Sequence, residues 1–265
     1  MALRIPSDFD VHSEQLDDSE EFIRDVLGLD IENWARFRYT IHIGNRAENL
    51  HSSAPIAEEV KEAYRELAKS HYEVVTSLGP ARIALKNAAQ SHGRRVLLFG
   101  KALKDFYFHI GCLLDNLARL IYIINDPKSA TETFTSGPRR GLLIRHWVGW
   151  GNQRRNYPAY TRLKRSRQLK EIRNIRNNIT HSWSCPIIVD ANGAFHWPLA
   201  ARKKRDHLWF YDERAVMRQK YRRWIPLLQM MRDDLAFIES FQSKVFVKLA
   251  RDVKRFERNY GVEIR

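Results

Sequence analysis

The strongest periodic pattern in the chain covers residues 169–183, which read LKEIRNIRNNITHSW. On a helix, at about 100° per residue, the apolar residues of this segment form one continuous stripe. They are Leu169, Ile172, Ile175, Ile179 and Trp183. Arg176 lies at the edge of the stripe, whereas Asn177 and His181, four residues apart, share the opposite face. The pattern predicts an amphipathic helix that turns a cation, an amide and an imidazole away from its own core.

Three further helices are predicted from apolar spacing and stop signals. One spans residues 53–78 and ends at Gly79-Pro80. A second begins after Pro80 and continues to Asn125, with apolar residues in a heptad-like repeat. A third begins near Pro226 and has apolar residues at three- and four-residue spacing. These helices can surround a common apolar core.

A β-hairpin is predicted directly after the amphipathic helix, over residues 185–198. Its apolar segments lie on either side of Asn192-Gly193, a dipeptide that favours hairpin turns. We therefore expect a mainly α fold, a helical bundle with a small β-hairpin insertion after the motif helix. Residues 1–52 are interpreted as an acidic N-terminal arm and a short packing segment. Residues 53–265 are interpreted as the helical domain, which includes a basic loop over 126–160.

The chain has 265 residues and a formal net charge of +14 at pH 7, unevenly distributed along the sequence. Such a charge favours a polyanionic partner, with nucleic acid first and a membrane surface second; basicity for solubility alone is the alternative. Residues 1–25 are acidic instead. They form either a solvated arm or short helix, or an arm that folds over a basic groove and competes with its ligand.

Basic residues are concentrated between positions 139 and 176, where twelve Lys or Arg occur and Glu171 is the only acid. Two tryptophans and two tyrosines are interleaved with them. Cations neutralise phosphates and aromatic faces stack on unpaired bases, so this mixture suits single-stranded nucleic acid. We predict that seven of the cations form a nucleic-acid-binding surface: Arg154, Arg155, Arg162, Lys164, Arg165, Arg167 and Arg173.

Several classes of function are disfavoured by the sequence. No unbroken apolar run reaches the roughly 18–20 residues of a membrane span, and the N-terminus lacks a signal-peptide pattern. Cys112 and Cys185 are too few for a disulfide framework and do not have zinc-ligand spacing. No glycine-rich phosphate loop or pair of metal-binding carboxylates is evident. We expect a cytoplasmic protein with no membrane partner, no metal and no cofactor.

Residues 176–181, RNNITH, resemble the Arg-x(4–6)-His signature of the HEPN ribonuclease superfamily, including the polar residue that often follows the arginine. The resemblance implies a compact helical bundle that dimerises across the motif helices and forms a composite cleft with two Arg/His pairs. In that cleft Arg176 would stabilise the phosphate, His181 would act as acid or base, and Asn177 would orient His181 or the substrate. HEPN proteins often occur in toxin–antitoxin or phage-defence systems, so the resemblance also allows an antitoxin or nucleotidyltransferase partner.

RNA can be cleaved without a metal by groups of this kind. A base takes the 2′-hydroxyl proton, the oxygen attacks the adjacent phosphorus, and an acid protonates the leaving 5′-oxygen. Histidine suits both proton steps because its ordinary pKa is about 6.5, and the arginine fork suits the charge on the phosphoryl oxygens. One Arg176 and one His181 form half of this apparatus, and a twofold dimer would supply the other half. We therefore predict a metal-independent endoribonuclease that cuts single-stranded RNA.

Alternatives remain open at particular positions. Arg176 and His181 are five residues apart, about 140° around a helix, so within one chain they converge only if the last turn distorts or the arginine reaches across. Thr180 could cap the helix or bond locally. Asp115 is either one half of a surface pair with Arg119 or a carboxylate that orients Arg176 or His181. The alternative function is a non-catalytic, HEPN-like RNA-binding or dimeric scaffold module.

Overall fold

The helical class predicted from the sequence is confirmed. In the computed structural model of the chain, 84% of the described residues are helical, and a small three-stranded antiparallel sheet accompanies the helices. The structure describes residues 21–29, 55–86, 92–126, 162, 165–181, 187–198 and 224–260. Of the predicted basic loop over 126–160, residues 127–160 lie outside the described residues.

The described α-helices follow the predicted apolar periodicity. Their bounds are α1 Pro55–Thr76, α2 Gly79–Lys86, α3 His92–Asn125, α4 Arg167–His181 and α5 Leu227–Tyr260. Helices α1 and α5 confirm two of the predicted helices, and α4 contains the predicted motif. The predicted helix from Pro80 to Asn125 corresponds to α2 and α3, and residues 87–91 between them lie outside the described part of the chain.

The sheet consists of β1 Ile188–Val189, β2 Phe195–Pro198 and β3 Trp224–Pro226, in the order β1-β2-β3. Strands β1 and β2 form the predicted hairpin, in which Val189 pairs with Phe195. Strand β3 was not predicted; it pairs with the other edge of β2, where Trp197 faces Ile225.

The hairpin turn is longer than the two-residue turn typical of Asn-Gly. The backbone N–H of Asp190 donates to Ala194 O, and that of Gly193 donates to Asp190 O, both at 3.0 Å. Gly193 has a φ of +80°, which glycine adopts without a steric penalty. Oδ1 of Asp190 accepts the N–H groups of Asn192 and Ala194, each at 2.9 Å. The Asp190 carboxylate therefore organises this turn together with Gly193.

The described residues divide into two compact units. One contains those within 1–31, 73–108 and 174–233, and the other contains those within 32–72, 109–173 and 234–265. In the first unit the Phe99 and Phe195 rings stack at a centroid distance of 4.3 Å. Arg95 lies over the Phe195 ring at 5.4 Å, and its Nε donates to Ala84 O at 2.9 Å. These contacts join α2, α3 and β2.

A short π-helical segment, Phe22–Val26, belongs to the core of the first unit. Its characteristic bond runs from the N–H of Leu27 to Phe22 O at 3.0 Å, and both side chains are buried. The carboxylate of Glu21 pairs with the guanidinium of Arg82 and, at 3.0 Å, with Lys86 Nζ. This part of the predicted acidic arm is therefore docked on α2; residues 1–20 lie outside the described residues.

The second unit is built from α1, α3 and α5, with the N-terminal part of α4. Its core includes Leu67, Ile110, Leu117 and Leu249, all of them buried. Polar groups are also buried there in pairs. The side-chain nitrogen of Gln242 lies 2.6 Å from Nε2 of His71, and both residues are buried. A buried polar pair of this kind is tolerated because each group bonds the other.

Helix α3 is long and apolar enough, over residues 93–125, to cross a membrane by the criteria of length and composition. However, 56% of its most apolar window is buried within the structure. A core helix of a soluble protein meets the same criteria. The structure is therefore compatible with a soluble protein.

Candidate functional site

Helix α4 buries the apolar stripe that the sequence predicts. Leu169 and Ile172 are buried in the second unit, and Ile175 and Ile179 are buried in the first. Trp183, the last predicted member of the stripe, lies outside the described residues. This packing fixes the rotation of α4 about its own axis, and the rotation determines which of the motif residues can meet a ligand.

Arg176 lies half-buried beside this stripe, as its position at the edge predicts. Its guanidinium carbon is 5.8 Å from the centroid of the Phe108 ring, a distance typical of a cation–π contact. Phe108 itself is 43% exposed. Among the described residues of the first unit, no carboxylate lies within ion-pair distance of Arg176. The positive charge of the Arg176 guanidinium is therefore not neutralised by a carboxylate among the described residues of the first unit.

A cation–π contact is compatible with phosphate binding by the same arginine. The five N–H donors of a guanidinium point outward in its own plane, whereas an aromatic ring attracts the cation through the ring face. The contact with Phe108 therefore orients the side chain of Arg176 while in-plane donors can still reach a ligand. A planar fork of this kind suits the paired oxygens of a phosphate.

Among the other residues of the motif, the structure describes the side chains of Asn177 and Asn178. Asn177 is half-buried, whereas Asn178 is 2% exposed and belongs to the buried face. The burial of Asn178 was missed in the sequence, although its spacing of three from Ile175 would have indicated it. The backbone of α4 is helical through His181, but the side chains of Thr180 and His181 lie outside the described residues.

Asp115 lies on α3 in the second unit and is half-buried. Its predicted surface partner, Arg119, is 9% exposed, and Nη2 of Arg119 bonds Oε2 of Glu62 at 3.3 Å. Arg119 is therefore a buried cation with a carboxylate partner from α1, so it is not the surface residue that one of the two interpretations of Asp115 assumes. The predicted role of Asp115 as an orienting group stays a prediction.

Four of the predicted nucleic-acid-binding cations are described and exposed: Arg162, Arg165, Arg167 and Arg173. Lys170, on α4, is exposed as well. Nε of Arg167 bonds Oε1 of Glu171 at 2.9 Å, so part of its charge is compensated. The remaining three predicted residues, Arg154, Arg155 and Lys164, lie outside the described residues. The described part of the segment thus offers a set of solvent-exposed cations in the second unit.

His196 is accounted for by the hairpin. Its Nε2 lies 2.8 Å from Oδ2 of Asp190, the carboxylate that organises the turn. This contact gives His196 a structural role in the hairpin. Within the described ranges, no group of three or more His, Cys, Asp or Glu side chains is arranged to hold a metal ion.

Comparisons of the chain with protein-family models, with curated proteins and with solved structures gave no match. The functional interpretation of α4 therefore depends on three observations on the chain itself. They are the resemblance of RNNITH to the HEPN signature, the environment of Arg176 and the distribution of charge.

Proposed function

We propose that this chain is a metal-independent endoribonuclease that cuts single-stranded RNA in a composite site shared by two copies of the chain. Arg176 binds the phosphate at the cleaved bond, His181 transfers protons, and Asn177 orients His181 or the substrate. The His181 of one copy takes the 2′-hydroxyl proton, and that of the other protonates the leaving 5′-oxygen. The products are a 2′,3′-cyclic phosphate and a 5′-hydroxyl. We place this activity in the cytoplasm.

The environment of Arg176 is the observation that carries the proposal. Its guanidinium is oriented by the Phe108 ring at 5.8 Å, and the side chain is half-buried. A side chain held in this way loses little further conformational freedom when a phosphate binds. Donors that are oriented in advance also stabilise the charge that develops on the phosphoryl oxygens during attack.

The course of α4 supports a second copy in the site. Because α4 continues as a helix through His181, the Cα–Cβ directions of Arg176 and His181 diverge by about 140°. Two such helices related by a twofold axis would present an Arg176 and a His181 from each copy to a common cleft. This arrangement provides the two proton-transferring groups that the reaction requires.

The first test is cleavage of a labelled mixed-sequence RNA by the purified full chain in EDTA. His181→Ala is expected to lower the rate by roughly 10²- to 10⁴-fold, the usual contribution of a general acid or base. Arg176→Ala is expected to abolish most of the activity as well. The matched control is Arg251→Ala, because Arg251 is an exposed cation on α5 and its loss removes the same charge. Its activity should equal that of the parent.

A modified substrate and the His181→Ala variant test the mechanism. An RNA with a single 2′-deoxynucleotide at the mapped cleavage site should resist cutting there, because the nucleophile is missing. If His181→Ala cuts as fast as the parent, His181 is not part of the mechanism. If neither protein cuts but both bind RNA, the exposed cations near Arg173 favour the non-catalytic RNA-binding module instead.

A further inference from the structure

Helix α3 carries an exposed stripe of which the proposed catalytic site uses only the last residue, Phe108. We define the α3 stripe as Leu97, Lys101, Lys104 and Phe108, which follow one another at spacings of four, three and four residues. At about 100° per residue, these four positions fall within some 60° of one another around the helix. All four are exposed, Leu97 at 74% and Phe108 at 43%. They all belong to the first unit.

The opposite side of the same helical segment is fully buried. Phe99, Leu103, Phe106 and Tyr107 each have 0% exposure. The segment is thus sharply divided into a core face and a solvent face. Large apolar side chains on the solvent face are not needed for the fold, because the core face already anchors the helix.

The charge of the α3 stripe is positive along its length. Lys101 and Lys104 are exposed between the two apolar residues, and exposed Arg94 adds a cation one turn before Leu97. Half-buried Asp105 lies about 80° around the helix from Leu97, to one side of the stripe. An apolar and aromatic surface with interspersed lysines is complementary to a strand that has phosphates on one edge and unpaired bases on the other.

The stripe ends at the proposed catalytic arginine. Phe108 is its last member, and the Arg176 guanidinium lies over the Phe108 ring at 5.8 Å. From Leu97 to Phe108 the helix rises about 16 Å, enough for a short run of nucleotides. A base that stacks on the exposed part of Phe108 would place its own phosphate group near Arg176.

We propose that the α3 stripe binds the single-stranded RNA substrate: Lys101 and Lys104 contact successive phosphates, and Phe108 stacks on a base next to the phosphate held by Arg176. The inference depends on the proposed ribonuclease function for the identity of the ligand. A second copy of the chain is a poorer occupant, since two such stripes would oppose lysine to lysine.

The test measures binding and cleavage separately, using the full chain and a single-stranded RNA oligonucleotide. Phe108→Leu keeps an apolar side chain but removes the aromatic face. Its affinity, measured by fluorescence anisotropy, is expected to fall by roughly 5- to 150-fold, the range known for one stacked base. Its control is Val247→Ala, a change at an apolar residue that is 62% exposed on α5. Circular dichroism and thermal unfolding verify that each variant is folded.

Salt dependence tests the two lysines. A double variant, Lys101→Gln with Lys104→Gln, is expected to reduce the slope of log K against log salt by about 1.4, or about 0.7 for each phosphate contact with a single strand. The control, Lys244→Gln with Lys254→Gln, removes the same charge from exposed positions on α5. Its slope should stay close to that of the parent.

A 2-aminopurine probe, moved along the RNA, locates the stacked base. Its fluorescence should be quenched by the parent at one position next to the cleaved bond and should recover in Phe108→Leu. Equal losses of affinity in the two lysine variants would overturn the proposal, because they would indicate only a general charge effect. The proposal would also be overturned if Phe108→Leu or the Lys101/Lys104 double variant kept its RNA affinity but no longer formed a dimer. That result would identify a second copy of the chain as the occupant of the stripe.

The two proposals fail in different ways. If the parent binds RNA through the α3 stripe but produces no cleavage, the ribonuclease function fails while the binding surface holds. If the parent cleaves RNA but Phe108→Leu and the Lys101/Lys104 double variant bind and cleave like the parent, the function holds and the α3 stripe is not the binding surface.

Discussion

Asp190 and His196 are joined within the β1–β2 hairpin, with Oδ2 of Asp190 2.8 Å from Nε2 of His196. Both residues retain contact with solvent, since their side chains are 36% and 20% exposed. The hydrogen bond with His196 is the largest cause of a lowered pKa of the Asp190 carboxyl, followed by the bond from the Ala194 N–H. The Asp190 carboxylate thus bonds both the backbone of the turn and His196 on strand β2.

The hairpin is expected to contribute to a pH-dependent stability. Because the pKa of Asp190 is lowered by folding, its ionised form stabilises the folded chain above the ordinary carboxyl pKa. That contribution is lost as the pH falls through the lowered pKa of the folded state. Asp190→Asn should therefore reduce the midpoint of thermal unfolding at neutral pH, with a difference from the parent that shrinks as the pH falls below the ordinary carboxyl pKa.

The same substitution in a His196→Gln background is the control. The carboxylate then lacks the partner that lowers its pKa most, so Asp190→Asn should have a smaller effect at neutral pH. Asparagine still offers an oxygen to the N–H groups of Asn192 and Ala194, so the turn itself is preserved. If Asp190→Asn lowered the unfolding midpoint of the parent equally at every pH, the loss of stability would not be due to the charge of the carboxylate.

A second prediction concerns the docking of residues 21–29. The side chain of Arg82 is 10% exposed, and Glu21 provides its carboxylate partner, whereas Lys86 is 58% exposed. Glu21→Gln removes this carboxylate from beside a buried cation and is expected to lower the free energy of unfolding by about 1–3 kcal/mol. Lys86→Gln breaks an exposed pair, worth under about 1 kcal/mol. Urea titrations of both variants compare them, and equal losses would refute a special role for buried Arg82.

Local patterns in the sequence predicted much of this fold. The stripes of α3, α4 and α5 were evident because each helix buries one face and repeats its apolar residues at three- and four-residue spacing. Ile175 and Ile179 are buried as that spacing requires. The hairpin was evident as well, since strand segments flank a glycine that adopts a positive φ.

Pairings between distant segments could not be predicted in the same way. Strand β3 has three residues and follows β2 only after a long intervening segment, so its partner is not encoded in local periodicity. The ion pair of Glu21 with Arg82 is similar, because the two residues belong to elements that are far apart in the chain. The turn was predicted at Asn192-Gly193, but the part that the Asp190 carboxylate plays in it was not.

The candidate site shows the same division. The position of Arg176 at the edge of its helix was predictable from α4 alone. Its contact with Phe108 was not, because Phe108 belongs to α3, a different helix. The tertiary contact therefore adds to the site an aromatic ring that no spacing within the motif could have indicated.

A third prediction tests the buried polar pair in the second unit. The side-chain nitrogen of Gln242 lies 2.6 Å from Nε2 of His71, and both residues are buried. His71→Leu and Gln242→Leu should each lower the free energy of unfolding by about 1–3 kcal/mol, since each leaves one buried polar group without this partner. The double variant should lose less than the sum, with a coupling of at least about 0.5 kcal/mol. Additive losses in a double-mutant cycle would show that the pair does not act as a unit.

The last prediction concerns the sharing of the catalytic site between two copies of the chain. A heterodimer of the parent chain and a His181→Ala chain, isolated through two different affinity tags, keeps one His181 instead of two. Because the proposed reaction uses one His181 as the base and the other as the acid, its cleavage rate in EDTA is expected to fall far below half that of the parent dimer. A rate close to half that of the parent, in a protein that remains dimeric by light scattering, would rule out a site composed across the twofold axis. Activity confined to one intact chain would then require Arg176 to reach His181 within the same helix, against the divergence of about 140° that α4 imposes.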